Sequence, residues 1–383
     1  MAPSADASVA VIGGGVIGAA VVHALASRGV ASILLEAEAE LALGASGSNS
    51  GILHTGFDAT PGELETRLIL RSAVLRERWL AEAAFPLIRC GATLQPRGEP
   101  DARTVAALAE QARVNGVEVE LGANGTLEVP GEAVTDPVAY TLALAATAAR
   151  AGSEVRTGAR VAAIRRAGAW LVLDLEGGGT VACRAAVNCA GLFADEVARM
   201  VGDNSFGVYP RKGEFFVFDP APEPPLERIL LPVPTKRTKG VLVFPTIDGR
   251  IVAGPTAYDQ EDKEDWSVRG EATEEVLAKA RRMLPQLEGA EPISAYAGLR
   301  PAGRGGANYV IRSSAACPQM VHVAAIRSTG LSASLAIGEH VMGILSQLGI
   351  EIGPYRTLPA YVPPASQLPW WARTALYRAN SAT

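Results

Sequence analysis

A chain of 383 residues, 48% of them hydrophobic, holds enough apolar material for one large domain or two intimate ones. Its formal net charge of −5 gives no basic footprint for nucleic acid. Cys90, Cys183, Cys189 and Cys317 are scattered, which argues against a disulfide framework or a zinc knuckle and suits reduced thiols, a cytoplasmic setting and no metal.

The start, Met-Ala-Pro-Ser-Ala-Asp-Ala-Ser, lacks a basic segment, so neither a signal peptide nor a membrane span is expected there. Val9–Ile12 reads as a strand, and Gly13, Gly15 and Gly18 follow it as G-x-G-x-x-G. Gly13 permits a tight turn, Gly15 lets backbone approach a pyrophosphate, and Gly18 lets helix and strand pack closely. The helix opening at Val16 and Ile17 aims free N–H groups at that pyrophosphate. A second strand ends at Glu36, where an acid binds the ribose hydroxyls of an unphosphorylated adenosine. Strand, glycine turn, helix, strand and acid together predict a dinucleotide site.

Gly44-Ala-Ser-Gly-Ser-Asn-Ser-Gly51 then offers backbone N–H groups and small hydroxyls for phosphate and ribitol contacts. Pro61–Leu80 reads as a helix with Leu64, Leu68, Ala73, Leu75 and Trp79 on one face, and Thr104–Val114 as another. Asp136-Pro137 caps a third helix that runs to Arg150 and stops at Gly152. Strands are expected at Glu154–Arg156, Val161–Arg165 and Trp170–Leu175, with Thr180–Arg184 as a hairpin partner and Ala186–Gly191 as a separate apolar strand. From Phe206 to Ala257, runs such as Phe215–Phe218, Val241–Phe244 and Ile251–Ala253 suggest an antiparallel sheet. A helix at Glu271–Leu284, a buried strand at Met320–Ala325 and a helix reaching Leu348 complete the pattern, so the chain leaves the nucleotide domain and returns to it.

These landmarks occur in the order of a known superfamily. Asn49-Ser-Gly-Ile-Leu-His-Thr-Gly56, Asn188-Cys-Ala-Gly-Leu-Phe-Ala-Asp195, Pro210-Arg-Lys-Gly-Glu214, Pro232-Val-Pro-Thr-Lys236, Gly254-Pro-Thr256, Gly298-Leu-Arg-Pro301 and Ile326-Arg-Ser-Thr-Gly-Leu-Ser332 carry the likeness. Over residues 8–350 the chain resembles the D-amino-acid-oxidase-like FAD enzymes, and within them the FAD-dependent glycerol-3-phosphate dehydrogenases and L-2-hydroxyglutarate dehydrogenases or oxidases. The resemblance implies an α/β fold: a Rossmann-like FAD-binding domain with a discontinuous antiparallel-sheet substrate domain, as in glutathione-reductase-like two-domain flavoproteins. Residues 1–85, 135–205 and 295–350 would form the FAD domain, 86–134 and 206–294 the substrate domain, and 351–383 a C-terminal tail. It implies noncovalent FAD. Gly13, Gly15, Val16, Ile17, Gly18 and Glu36 would hold the ADP half. Ala45, Ser46, Asn49, Ser50 and Gly51 would line the flavin side. Val161 would meet adenine, and Ala190 and Gly191 would pass over the cofactor. Gly330, Leu331 and Ser332 would place a helix N-terminus at the flavin's pyrimidine ring.

Oxidising an alcohol needs a base, an anion clamp and orientation, with hydride passing to flavin N5. Of the four histidines, His23 and His322 fall in a helix and a strand that should be buried, and His340 late in the last helix. In the hydroxy-acid branch a histidine at the motif position of His54 faces the substrate. Arg300, in Gly298-Leu-Arg-Pro301, matches the family arginine aimed at the substrate's anionic group and at the cofactor side; bidentate guanidinium–carboxylate pairing suits that task. Arg211 and Lys236 are further substrate-binding candidates for a second anionic group. The expected partners are therefore a small anionic substrate, a 2-hydroxy acid or a glycerol-3-phosphate-like compound, and an electron acceptor such as dioxygen, a quinone or a carrier. Many such dehydrogenases continue into a cysteine-rich domain, whereas no cysteine follows Cys317 here. The tail Leu368-Pro-Trp-Trp-Ala-Arg-Thr-Ala-Leu-Tyr-Arg378 suits packing against the body or a partner better than a membrane surface. The alternatives are an amine or amino-acid oxidase of the same fold and a non-catalytic flavin- or nucleotide-binding subunit.

Overall fold

A computed structural model describes residues 6–83, 85–219, 225–234, 240–364 and 366–381. Its helices are α1 (Val16–Ser27), α2 (Leu64–Ala83), α3 (Glu99–Val114), α4 (Pro137–Arg150), α5 (Ala194–Met200), α6 (Gly270–Met283), α7 (Gly330–Gln347) and α8 (Trp370–Ser381).

The first sheet is built on Ala7–Ile12, whose residues are almost all buried because helices cover one face and a small β excursion the other. It pairs in parallel with Ser32–Leu35 on one side and with Thr180–Asn188 on the other. Beyond Ser32–Leu35 lies Glu154–Arg156. α1, α4, α7 and α2 pack against one another on one face of this sheet. α4 starts as its sequence requires: the Asp136 carboxylate accepts the Val138 and Ala139 N–H groups at 2.9 Å, and Pro137 needs no acceptor.

Two sequence expectations change here. Thr180–Arg184 and Ala186–Gly191 are not separate strands but one, Thr180–Asn188, whose outer edge is divided between two partners. Its first half pairs antiparallel with Trp170–Leu175 and its last residues pair in parallel with Met320–Ala324. Hairpin partner and apolar run are thus the two ends of a single strand, and the change of texture records a change of neighbour. Residues 295–303, placed by the sequence reading with the nucleotide-binding unit, belong by hydrogen bonding to the other large sheet. Ser294–Gly303 pairs antiparallel along Val208–Phe218, with Arg211 opposite Arg300.

That second sheet runs from Tyr258–Asp259 through Val208–Phe218, Ile251–Gly254, Leu242–Pro245 and Ile229–Leu231 to Ala92–Leu94, Leu127–Val129 and Glu120–Leu121. α3 covers one face and α6 the other. A three-stranded sheet of Ile52–Leu53, Ala133–Thr135 and Leu87–Ile88 joins the two units. The tail closes onto the body. Trp370 and Trp371 are buried in the α3-side core, Trp370 lies edge-on to Tyr296, and Trp371 Nε1 donates to Asp248 at 3.1 Å. Among the described residues no helix is long and apolar enough to cross a membrane.

Candidate active site

A cavity of about 1040 Å³ runs between the two sheets. One end is a backbone cradle. Gly13 has φ +108°, and a Cβ there would sit 2.5 Å from the Cys189 carbonyl oxygen, so only glycine fits the turn. Gly15 ends the turn facing the cavity, with Ser46 Oγ 3.0 Å from where its Cβ would be. Gly18 does not reach the cavity: a Cβ there would lie 1.9 Å from the Gly13 carbonyl oxygen, so its part is the close helix–strand contact. Val16 and Ile17 line the cavity, and the Val16 N–H donates to Ser46 Oγ at 2.9 Å.

Glu36 also faces the cavity. Its carboxylate accepts the Gly14 N–H at 2.5 Å and the Glu38 N–H at 2.8 Å. Burial raises its pKa, and these backbone donors oppose the rise. Ala45, Ser46, Asn49 and Ser50 line the cavity beside the start of α1, in a loop that Asn49 ties to itself through Ala45, Ser46 and Gly51. Val161, Ala190 and Gly191 close the cradle, and Gly330 and Leu331 bring in the start of α7. Neither α1 nor α7 has a side-chain cap from its N-cap residue, so two helix N-termini open on one cavity. An elongated anionic dinucleotide fits such a cradle.

Besides Gly18, two expected cofactor residues lie off the cavity wall. Gly51, at φ +69°, stands against Thr135, whose carbonyl oxygen would be 2.3 Å from an added Cβ. Ser332 is buried in the first turn of α7, where its Oγ accepts the His54 N–H at 2.8 Å. Both shape the walls from behind.

The other end of the cavity is made of side chains from distant segments. His54 lines it, with its side chain 20% exposed. Its Nδ1 is 2.8 Å from Glu132 Oε2, and no described residue takes Nε2. Glu132 is fully buried, and its Oε1 accepts both the N–H and the hydroxyl of Thr55, at 2.7 and 2.9 Å. Behind them Arg76 is buried in α2, donating to the Ser332 carbonyl at 2.8 Å and more weakly to that of His54 at 3.5 Å. Burial lowers the Arg76 pKa, and Tyr140 and Glu132 resist it.

Across the cavity stands Arg300. Its Nε donates to the Arg211 carbonyl at 3.0 Å, and its Nη2 to those of Lys212 and Thr256 at 3.0 and 2.7 Å. Three carbonyls fix the guanidinium plane, while no described residue accepts from Nη1. Burial, with Arg211 adding repulsion, brings its pKa down to about 10, so it stays charged at neutral pH. Arg211 lines the same wall, with Nε 3.6 Å from Asp259. Lys236 lies outside the described residues.

Residues 255–269, of which Pro255, Thr256, Ala257 and Trp266 line the cavity, are held by buried charges on the neighbouring strand. Lys212 Nζ bonds Asp265 at 2.8 Å, and Glu214 accepts from Arg269 and Thr256 at 2.6 Å. Lys263 reaches across to Asp195 and Glu196 of α5, both at 2.7 Å. At the cradle end Arg378 of α8 donates to the Leu43 carbonyl at 2.9 Å and lies over the Trp266 ring. Glu132, Arg76 and the α8 arginines escaped the sequence reading. Only Arg76 left a signal: it falls at helical spacing in the buried stripe Leu68, Ile69, Ser72 and Trp79, rotated from the expected face so that Leu64, Ala73 and Leu75 are only partly buried.

A family model described as FAD dependent oxidoreductase matches residues 8–343. The chain belongs to this family. Its cofactor is FAD, and the cradle of Gly13, Gly15, Glu36 and the two open helix starts suits that molecule. The chain is 29% identical to a glycerol 3-phosphate dehydrogenase of Caloramator mitchellensis, over 92% of this chain and 78% of that one. It is 27% identical to a glycerol 3-phosphate oxidase of Mycoplasma pneumoniae, over 88% of this chain and 94% of that one. It is 27% identical to an L-2-hydroxyglutarate dehydrogenase of Nematostella vectensis, over 67% of this chain and 63% of that one. Among solved structures, the FAD-bound L-alpha-glycerophosphate oxidase of Mycoplasma pneumoniae shares the fold with TM-score 0.86 at 24% identity, over 94% of this chain and 99% of that one. A glycine oxidase from Geobacillus kaustophilus shares it with TM-score 0.78 at 26% identity, over 89% and 95%. The protein is an FAD-dependent oxidoreductase.

Proposed function

We propose that this enzyme oxidises a small anionic alcohol, a 2-hydroxy acid or a glycerol-3-phosphate-like compound. The observation that carries the reading is the pairing of His54 and Arg300 on one cavity, each held by the protein through one side and open on the other. An alcohol must lose an O–H proton and a C–H hydride. FAD, when bound, supplies the hydride acceptor, flavin N5. His54 Nε2 takes the proton. The Arg300 Nη1 face binds the carboxylate or phosphate, and its three carbonyl partners keep that face still before substrate arrives. Arg211, opposite Arg300 on the neighbouring strand, supplies a second positive group for a doubly charged substrate. Relatives named for glycerol 3-phosphate and for L-2-hydroxyglutarate support this chemistry, since both compounds are anionic alcohols.

The test is anaerobic mixing of the yellow holoenzyme with hydroxy acids, phospho-alcohols, neutral alcohols and amino acids. Bleaching of the flavin by an anionic alcohol, and not by its neutral counterpart, is expected. Bleaching by glycine-like amines alone would overturn the reading in favour of amine oxidation.

A further inference from the structure

We infer that Glu132 is the positioning residue for His54: its carboxylate holds the imidazole proton on Nδ1 and so keeps Nε2 as the unprotonated nitrogen toward the cavity. The inference rests on the reading of His54 as base. An ionised carboxylate has acceptors and no donor, so the 2.8 Å contact to Oε2 is donated by Nδ1–H, and the neutral ring then carries its lone pair on Nε2. Without such a partner a neutral imidazole divides between two tautomers, of which one has no lone pair on Nε2.

The carboxylate is itself over-determined. Oε1 receives two donors from Thr55, the residue after His54, so Oε2 is the oxygen left for the ring. Glu132 reaches this turn because Gly131 precedes it: a Cβ there would lie 2.8 Å from Thr55 Cγ2. Arg76, buried behind the His54 and Ser332 carbonyls, places a positive charge near the pair. A carboxylate that served only to hold the turn would be satisfied by Thr55. The bond to the ring is the one that bears on chemistry.

Glu132→Gln separates the two roles. The side-chain carbonyl must stay with Thr55, because the Thr55 N–H needs an acceptor. The amide NH₂ then faces the ring and donates to Nδ1, driving the proton to Nε2. The measurement is the imidazole ¹H–¹⁵N spectrum of labelled holoenzyme. With four histidines in the chain, His54 is identified by the signals lost in His54→Gln. Expected is a neutral His54 with Nδ1–H in the wild type and Nε2–H in Glu132→Gln. FAD content should stay near full, while flavin reduction at saturating substrate falls about 10²–10⁴-fold with little change in KM. In the His54→Ala background Glu132→Gln should add nothing.

A wild-type His54 with its proton on Nε2, or a Glu132→Gln spectrum still showing Nδ1–H, overturns the inference. If the variant fails to fold, the wild-type spectrum alone decides. An Nδ1–H wild type whose flavin no anionic alcohol bleaches leaves the pairing standing and removes only the substrate reading.

Discussion

The two ends of the cavity are built in opposite ways. The cradle is backbone: Gly13, Gly15 and the start of α1 come from one short run, and side chains such as Ser46 and Glu36 trim it. The other end, where we propose the chemistry occurs, is side chain. His54, Arg76, Glu132, Arg300 and Ser332 come from five separate segments and meet only through the fold. A backbone cradle tolerates almost no change at its glycines, because a Cβ fills the space directly. A side-chain site can lose one group and keep its shape, so binding of cofactor and chemistry should come apart under mutation.

The largest effect expected is at the cradle. Gly15→Val puts a branched side chain where Gly15 faces the cavity, beside Ser46 Oγ, and the protein should purify nearly colourless. Full FAD occupancy by absorbance would mean that the dinucleotide does not pass this turn. At the other end, His54→Ala should keep its colour and slow flavin reduction about 10²–10⁴-fold in rapid mixing. A rate within a few-fold of wild type would leave His54 a packing residue and undo the contrast between the ends.

Arg300→Ala should weaken binding of an anionic substrate by roughly 2–5 kcal/mol, the cost of truncating one side of a desolvated ion pair. Arg300→Lys should recover only part, since an ammonium keeps charge but loses the planar fork that Arg211, Lys212 and Thr256 hold. Equal titration curves for wild type and Arg300→Ala would remove the clamp.

The smallest effect concerns stability. His23, half-buried in α1, keeps its ring Nε2 away from solvent with no hydrogen-bond partner, and this desolvation lowers its pKa to about 4 from 6.5. A base with a depressed folded pKa gives stability that is present above pH 6.5 and is lost as pH falls toward 4, by about 3 kcal/mol at most. His23→Leu should flatten this stretch of the pH–stability curve, measured by urea melts, and leave flavin reduction unchanged. A curve as steep as wild type would assign the acid loss to other groups.

The strand, glycine turn and helix start at one end of the cavity were legible because their physics is local. A strand, a turn that needs glycine at Gly13 and a helix start follow one another within a few residues, and each shows in residue type. The Asp136-Pro137 cap of α4 was legible for the same reason. His54 and Arg300 were visible only through motif resemblance, and nothing local set them on one cavity. Where the strand at Thr180–Asn188 divides its outer edge between two neighbours, a hairpin partner followed by an apolar run suggested two strands, since a strand's texture reports its neighbours and not its continuity. Residues 295–303 were read with the nucleotide-binding unit although they pair in the other large sheet, because a buried strand looks alike in either. Glu132 had no signal at all. It is an acid in a turn whose worth depends on three donors from residues 54 and 55, and only tertiary structure brings those donors to it.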